Sequence, residues 1–199
     1  MEDYAWVIEY LPSGRASALK REAMVQLIGT RFFTLLEASV QPDSLIVIGQ
    51  KLYVGKEGRT EVTHIKGRIT YNELTNGAKE FLRPMLQKAV KENENIFISF
   101  INRAKPISIR VHSLDLLPGI GKKNMEAILK ERENKPFESV EDLKKRVPTL
   151  SDPIGIFVHR IMSELEGNEK YYLFTKPPFV PRPPGSFHGY EHGRGSFRR

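Results

Sequence analysis

The octapeptide Leu116-Leu117-Pro118-Gly119-Ile120-Gly121-Lys122-Lys123 leaves the chain around it little conformational choice. Apolar Leu114, Leu116 and Leu117 lead into it, and Met125, Ile128 and Leu129 follow at the spacing of one helix face. Gly119 and Gly121 permit a tight turn between two helices, because a residue without a Cβ reaches positive φ without steric cost. Ile120 is expected to point inward and lock that turn. The second helix then begins with unpaired N–H groups on a loop free of bulky side chains, with Lys122 and Lys123 in its first turn. Such a helix start suits an anion such as a phosphate. Lysines at that end oppose the helix macrodipole, so an incoming anion relieves a local penalty.

The order apolar residue, Pro, Gly, apolar residue, Gly and basic pair resembles a helix-hairpin-helix motif. That resemblance implies a binder of nucleic-acid backbone without sequence preference, through Gly119, Ile120, Gly121, Lys122 and Lys123. The competing reading is a helical hairpin whose glycines serve the turn alone. A P-loop is excluded, because its first glycine falls at Leu116 and Lys123 stands where a magnesium-binding Ser or Thr is required.

Charge points the same way. The 199 residues carry 31 Lys and Arg against 24 Asp and Glu, a net +7, which favours a polyanionic partner. The absence of cysteine excludes disulfides, thiolate catalysis and zinc–thiolate sites. No apolar run approaches the roughly 20 residues that span a bilayer, and the N-terminus has no signal-peptide apolar region, so a cytoplasmic protein is expected.

Upstream, residues 4–11 read as an aromatic and β-branched strand, and 18–28 as a helix with Leu19, Ala23, Leu27 and Ile28 on one side. Residues 32–38, 45–54 and 61–69 read as three strands. Alternation places His64, Lys66 and Arg68 on one face of the third and Lys51 with Tyr53 on one face of the second. If those strands are neighbours, they present a basic face with an aromatic ring; taken singly, each is equally well a solvated sheet face. Thr70-Tyr71-Asn72-Glu73 is a capping box ahead of a helix with Leu74, Ala78, Phe81, Met85 and Ala89 in phase, kinked or restarted at Pro84. Strands at 96–101 and 106–111 are expected next, joined by a loop carrying Arg103 and Lys105. Three strands, a helix and two strands is the order of an OB-fold, which would bring Arg103 and Lys105 to the groove.

The fold class is thus α+β: an OB-like β-barrel over 1–111, a helix-hairpin-helix domain over 112–167, and an extended or disordered tail over 168–199. Within the helical part, Val147–Pro153 resembles a second hairpin. There Thr149 and Ser151 replace the glycines, and Asp152 is expected to cap a helix and repel phosphate, so this hairpin is read as structural. From Gly167 onward the chain holds six Lys or Arg against two Glu. Its arginines, Arg194 and Arg198 among them, alternate with aromatic residues in a composition suited to RNA.

Taken whole, residues 1–180 resemble an archaeal family of unknown function, domain of unknown function 655, described as nucleotide-binding proteins. The resemblance rests on Tyr4-Ala5-Trp6-Val7, Phe33-Thr34-Leu35-Leu36-Glu37 and the Leu117–Lys123 turn, and implies an OB-like domain with helix-hairpin-helix elements. It implies no reaction. No clustered carboxylates, metal-ligand spacing or cofactor motif stands out, so a non-catalytic nucleic-acid binder without cofactor or metal is expected, with RNA favoured over DNA. The alternatives are a protein-interaction scaffold in a ribosome-assembly or transcription complex, and a DNA-binding repair or replication accessory protein.

Overall fold

A computed structural model describes residues 2–15, 22–42 and 44–177. The N-terminal half builds one five-stranded antiparallel sheet from β1 (Tyr4–Leu11), β2 (Met24–Gly29), β3 (Leu35–Val40), β4 (Lys51–Tyr53) and β5 (Val62–Arg68), in the order β4-β1-β2-β3-β5. The central strand β2 is buried along its whole length, because both faces of the sheet are covered. Ala5, Val7, Val25, Leu27, Ala38 and Val40 pack with Leu52, Val54 and Val62 inside the curl of the sheet. Trp6, Ile8, Ile28 and Leu35 turn the other way, against the helices. Register shifts in the β1–β2 and β3–β5 pairings add local twist, which lets a sheet bend around its own core.

The helices are α1 (Asn76–Glu92), α2 (Glu94–Arg103), α3 (Lys122–Asn134), α4 (Val140–Arg146) and α5 (Pro153–Glu166). Between α2 and α3 lies a two-stranded ribbon of β6 (Pro106–Ser108) and β7 (Val111–His112), then a 3-10 turn over Ser113–Leu116. Helix α1 lays Ala78, Leu82, Leu86, Ala89 and Val90 on the sheet. One continuous core then runs from Trp6 and Phe33 through Phe97 to Ile120, Phe157 and Ile161. Phe97 is its hub, with ring centroids 4.8 Å from Phe157 and 5.1 Å from Phe174.

Several expected elements change. Residues 24–29 are strand, not the end of a helix, since Val25, Leu27 and Ile28 are buried on both sheet faces; residues 16–21 lie outside the description. The expected strand at 45–54 forms only at Lys51–Tyr53. The segment expected as a strand at 96–101 is α2, because Phe97, Ile98 and Ile101 fit one helix face and pack into the core, overriding the β preference of isoleucine and phenylalanine. The strand at 106–111 is the small ribbon. Among the described residues the sheet is therefore complete before α1 begins, and no strand after that helix joins it. The capping box is present, with Thr70 N–H donating to Glu73 Oε2 at 2.7 Å, but it closes a 3-10 turn over Tyr71–Glu73. Thr75 caps α1 instead, and α1 runs unbroken through Pro84 with Phe81 largely exposed.

Past Gly167 the chain does not leave the body at once. Backbone N–H groups of Leu173, Phe174 and Thr175 donate to the buried Glu164 carboxylate at 2.7, 3.0 and 2.8 Å, and Phe174 enters the aromatic core. Residues 171–177 thus form an extended strap docked on the body. Arg194 and Arg198 lie outside the described residues.

Candidate nucleic-acid interface

The Leu117–Lys123 segment turns as its residues require. His112 caps the 3-10 turn ahead of it: Leu114 N–H donates to His112 Nδ1 at 3.1 Å, while His112 N–H donates to Asp115 Oδ2 at 2.9 Å. Ile120 N–H then donates to the Leu117 carbonyl at 3.0 Å, with both side chains buried, Ile120 pointing inward as expected. Gly119 sits at φ +85°, a left-handed value that favours glycine. Gly121 is the N-cap of α3 and brings no side chain to satisfy the first N–H groups, and no acidic residue occupies the first turn. Gly119, Gly121, Lys122 and Lys123 are all exposed. Among the described residues neither lysine has an acidic partner.

A second turn lies against the first. Leu150 N–H donates to the Val147 carbonyl at 3.0 Å, repeating the Ile120–Leu117 bond, and Val147 and Leu150 are buried in the same way. Here Asp152 is the N-cap, accepting from Gly155 N–H at 2.9 Å ahead of Pro153, as expected for a helix cap. A Cβ at Gly155 would stand 2.1 Å from Asp152 Oδ2, so that cap depends on glycine. Pro118 and Gly119 of the first turn and Thr149–Asp152 of the second line one open cleft of about 400 Å³. Arg83 of α1 and, from α5, Gly155, Ile156 and His159 complete its lining, and Arg83 and His159 are exposed. Nothing in the local sequence marks these two, because only the packing of α1 against α5 carries them to the turns.

Behind the turns, Arg160 and Glu164 of α5 form a buried pair with Nε 2.9 Å from Oε1. Arg160 Nη1 also donates to the Leu116 carbonyl at 3.0 Å and pairs with Glu169 at 2.9 Å. One guanidinium therefore ties the approach to the first turn to α5, while Glu164 holds the strap.

The expected basic sheet face does not assemble. Lys51 and Tyr53 lie on β4 and His64, Lys66 and Arg68 on β5, the two opposite edges of the sheet, with three strands between them in pairing order. Lys51 Nζ pairs with Glu92 at 3.3 Å and lies over the Trp6 ring, and Tyr53 meets Tyr4 edge-on at 5.3 Å. Lys66 pairs with Glu22 at 3.7 Å, and Arg68 donates to the Pro177 carbonyl. His64, Lys66 and Arg68 are nonetheless exposed, as alternation required. Arg103 ends α2, bonded to Ser99, and Lys105 precedes the ribbon, so neither closes a groove between strands of the sheet. Among the described residues no cluster of three or more His, Asp or Glu could hold a metal, and no helix is long and apolar enough to cross a membrane.

An antiparallel sheet curled on one core, with five helices and paired turns on the other, defines an α+β protein with an exposed cationic helix start. The chain belongs to the family described as "Protein of unknown function (DUF655)", whose model matches residues 1–176. It is 41% identical over 177 residues to the uncharacterized protein MJ0038 of Methanocaldococcus jannaschii, covering 88% of this chain and 80% of that protein. The crystal structure of Af1531 from Archaeoglobus fulgidus, of the same family, superposes with a TM-score of 0.81 at 39% identity, covering 88% of this chain and all of that one. An 80-residue stretch is 36% identical to a DNA polymerase III PolC-type of Thermotoga maritima, covering 38% of this chain and 6% of the polymerase.

Proposed function

We propose that this protein is a non-catalytic nucleic-acid-binding protein that grips phosphates at the start of α3 through a helix-hairpin-helix turn. The observation that carries the reading is the uncapped start itself. Gly121 contributes no side chain, Lys122 and Lys123 are exposed and, among the described residues, without acidic partners, and Gly119 keeps the approach open. A phosphate there accepts the spare N–H groups and offsets the clash between two lysines and the positive end of the helix dipole. Arg83 and His159 line the adjoining cleft, which runs from Gly119 to the second turn. The partial likeness to a DNA polymerase and the excess of Lys and Arg support nucleic acid as the ligand class. RNA is preferred over DNA because the arginine- and aromatic-bearing C-terminal sequence suits unpaired strands.

Fluorescence anisotropy with a labelled single-stranded RNA and a DNA duplex of equal length, across a salt series, tests this. Replacing Lys122 and Lys123 together by Glu removes two phosphate contacts. The slope of log K against log salt should fall by about 1.4 for a single strand and about 1.8 for a duplex. A folded double variant with unchanged affinity and slope overturns the reading.

A further inference from the structure

The β6–β7 ribbon is a second feature that the phosphate turn does not explain. Its two-residue turn is Ile109-Arg110, where hairpins ordinarily place Gly, Asn or Asp. Ile109 is fully exposed at the apex, and Ile107 and Ile96 beside it are each about 40% exposed. A projecting β-branched side chain in such a turn contributes nothing to the fold, and the apolar surface around it is of the kind that marks a contact site. The charges on the ribbon itself have one sign, and Asp115, the next carboxylate along the chain, is turned to His112 N–H. Residues 103–112 include Arg103, Lys105 and Arg110 and no carboxylate. A shallow groove of about 440 Å³ at the ribbon's base is lined by Ile96, Phe100, Ile107 and Pro106, with Arg103 and Lys105 as its only charged residues.

The ribbon is also braced. Lys105 N–H donates to Ser113 Oγ at 3.1 Å and Ser113 N–H donates to the Lys105 carbonyl at 3.0 Å, clamping its base. Pro106 pairs with His112, the residue that caps the 3-10 turn leading to Leu117. From α3, Arg132 Nη1 donates to the carbonyls of Ile101 and Ala104 at 2.9 Å each. Ribbon, α2 terminus and phosphate turn are therefore held in one fixed relation.

We propose that the ribbon is a wedge for nucleic acid: Ile109 seats against an unstacked base of a bulged or looped RNA while Arg110, Lys105 and Arg103 hold the flanking phosphates. Small apolar side chains beside cations are the means by which architectural proteins prise apart weak base steps. The three cations Arg103, Lys105 and Arg110 around the apolar apex favour a polyanion as its occupant, since each can pair with a phosphate. The inference rests on nucleic acid being the ligand and adds a site that reads an unpaired base, where the α3 start reads backbone alone.

The test uses the full chain and an RNA stem with one bulged 2-aminopurine, whose emission rises when the base is unstacked, beside the same stem fully paired. The wild type should brighten the bulged probe on binding. Ile109→Ser should lose that brightening and about tenfold in affinity for the bulged stem, the low end for burying one isoleucine side chain, while changing affinity for the paired stem little. Ile109→Phe, still an apolar wedge, should retain both signals. Because Ile109 is fully exposed, its replacement leaves the melting temperature unchanged, which separates lost contact from lost fold. Unchanged affinity and emission for Ile109→Ser, in a protein whose Lys122→Glu/Lys123→Glu variant no longer binds, overturns the wedge and leaves the phosphate turn standing. Loss in Ile109→Ser with an unaffected lysine variant overturns the phosphate turn and supports the wedge. Failure of the wild type to bind either stem overturns both.

Discussion

The two turns of the helical part share a backbone and differ in what they offer a ligand. Each closes with a hydrogen bond from a buried aliphatic residue to the carbonyl three residues earlier, Ile120 to Leu117 and Leu150 to Val147. Each then opens a helix, α3 or α5, that packs into the common core. At the N-cap they part. Asp152 spends a carboxylate on the N–H of Gly155, whereas Gly121 leaves the start of α3 open beside two lysines. The apolar anchors set the shape of such a turn, and the residue at the cap sets whether an outside anion has anything left to bind. On the function proposed above, the two turns divide the work, the second stabilising and the first binding.

The largest effect should come from what holds the first turn and has no counterpart at the second. Arg160 donates to the Leu116 carbonyl, and Glu164 pairs with Arg160 and accepts three strap N–H groups in a fully buried position. Glu164→Gln leaves the buried guanidinium with the Leu116 and Tyr171 carbonyls and, among the described residues, Glu169 as its one carboxylate partner. Urea unfolding should show a loss of about 3–5 kcal/mol, the range for breaking a buried ion pair from one side. A loss under about 1 kcal/mol would mean the pair is as weak as a surface one and the turn is held by Leu117 and Ile120 alone.

Asp152→Ala follows in size. Loss of an N-cap should cost about 0.5–2 kcal/mol. Nucleic-acid affinity should stay as in the wild type, since the second turn offers no free helix start. A folded Asp152→Ala protein that binds several-fold more weakly would erase the division between the turns.

How much of this was legible beforehand depends on where the information sits. The Leu117–Lys123 turn, the inward Ile120 and the Asp152 cap were readable because glycine, proline and cap residues act within a few positions of themselves. The strand at Met24–Gly29 was not, because a short apolar run buried on both faces has no period to distinguish it from a helix. Residues 96–101 misled for a related reason: Ile-Phe-Ile-Ser-Phe-Ile has strand composition, and only the core waiting for Phe97, Ile98 and Ile101 makes it α2. Lys51 and Lys66 showed their faces correctly but not their places, since strand order is a long-range property. Arg83 and His159 reach the cleft through helix packing and leave no local trace.

Acid should separate the two turns by a smaller margin. The helix before the second turn, α4, is capped by Ser139, which does not titrate. The first turn is approached through His112, whose Nδ1 must be unprotonated to accept from Leu114 N–H. Burial holds His112 below its ordinary 6.5, with the charge of Arg132 adding to this and Asp115 opposing it. With the folded value below the unfolded one, the unfolded chain binds the proton more readily. The stabilisation is whole above about pH 6.5 and lost as pH falls through the folded value. His112→Asn keeps an acceptor and removes the titration, so its melting temperature should fall less than that of the wild type between about pH 7 and about pH 5. Parallel curves would show that the cap survives protonation.

The smallest change in stability should be the most informative about function. Gly121→Asp gives the first turn the cap of the second. Gly121 has φ −79° and ψ 176°, ordinary extended values, and an added Cβ meets nothing within 4 Å, so aspartate enters without strain. Going from Gly to Asp at an N-cap should raise stability by only a few tenths of a kcal/mol, read as a slightly higher melting temperature. Phosphate binding should collapse, because the carboxylate takes the N–H groups and places a negative charge where the phosphate would stand. Gly121→Asn takes the same N–H groups without the charge and should fall between the two. The order wild type, Asn, Asp in falling affinity, against a nearly flat order in stability, is what an open helix start requires. If Gly121→Asp binds as tightly as the wild type, the start of α3 holds no phosphate and the two turns differ in their caps alone.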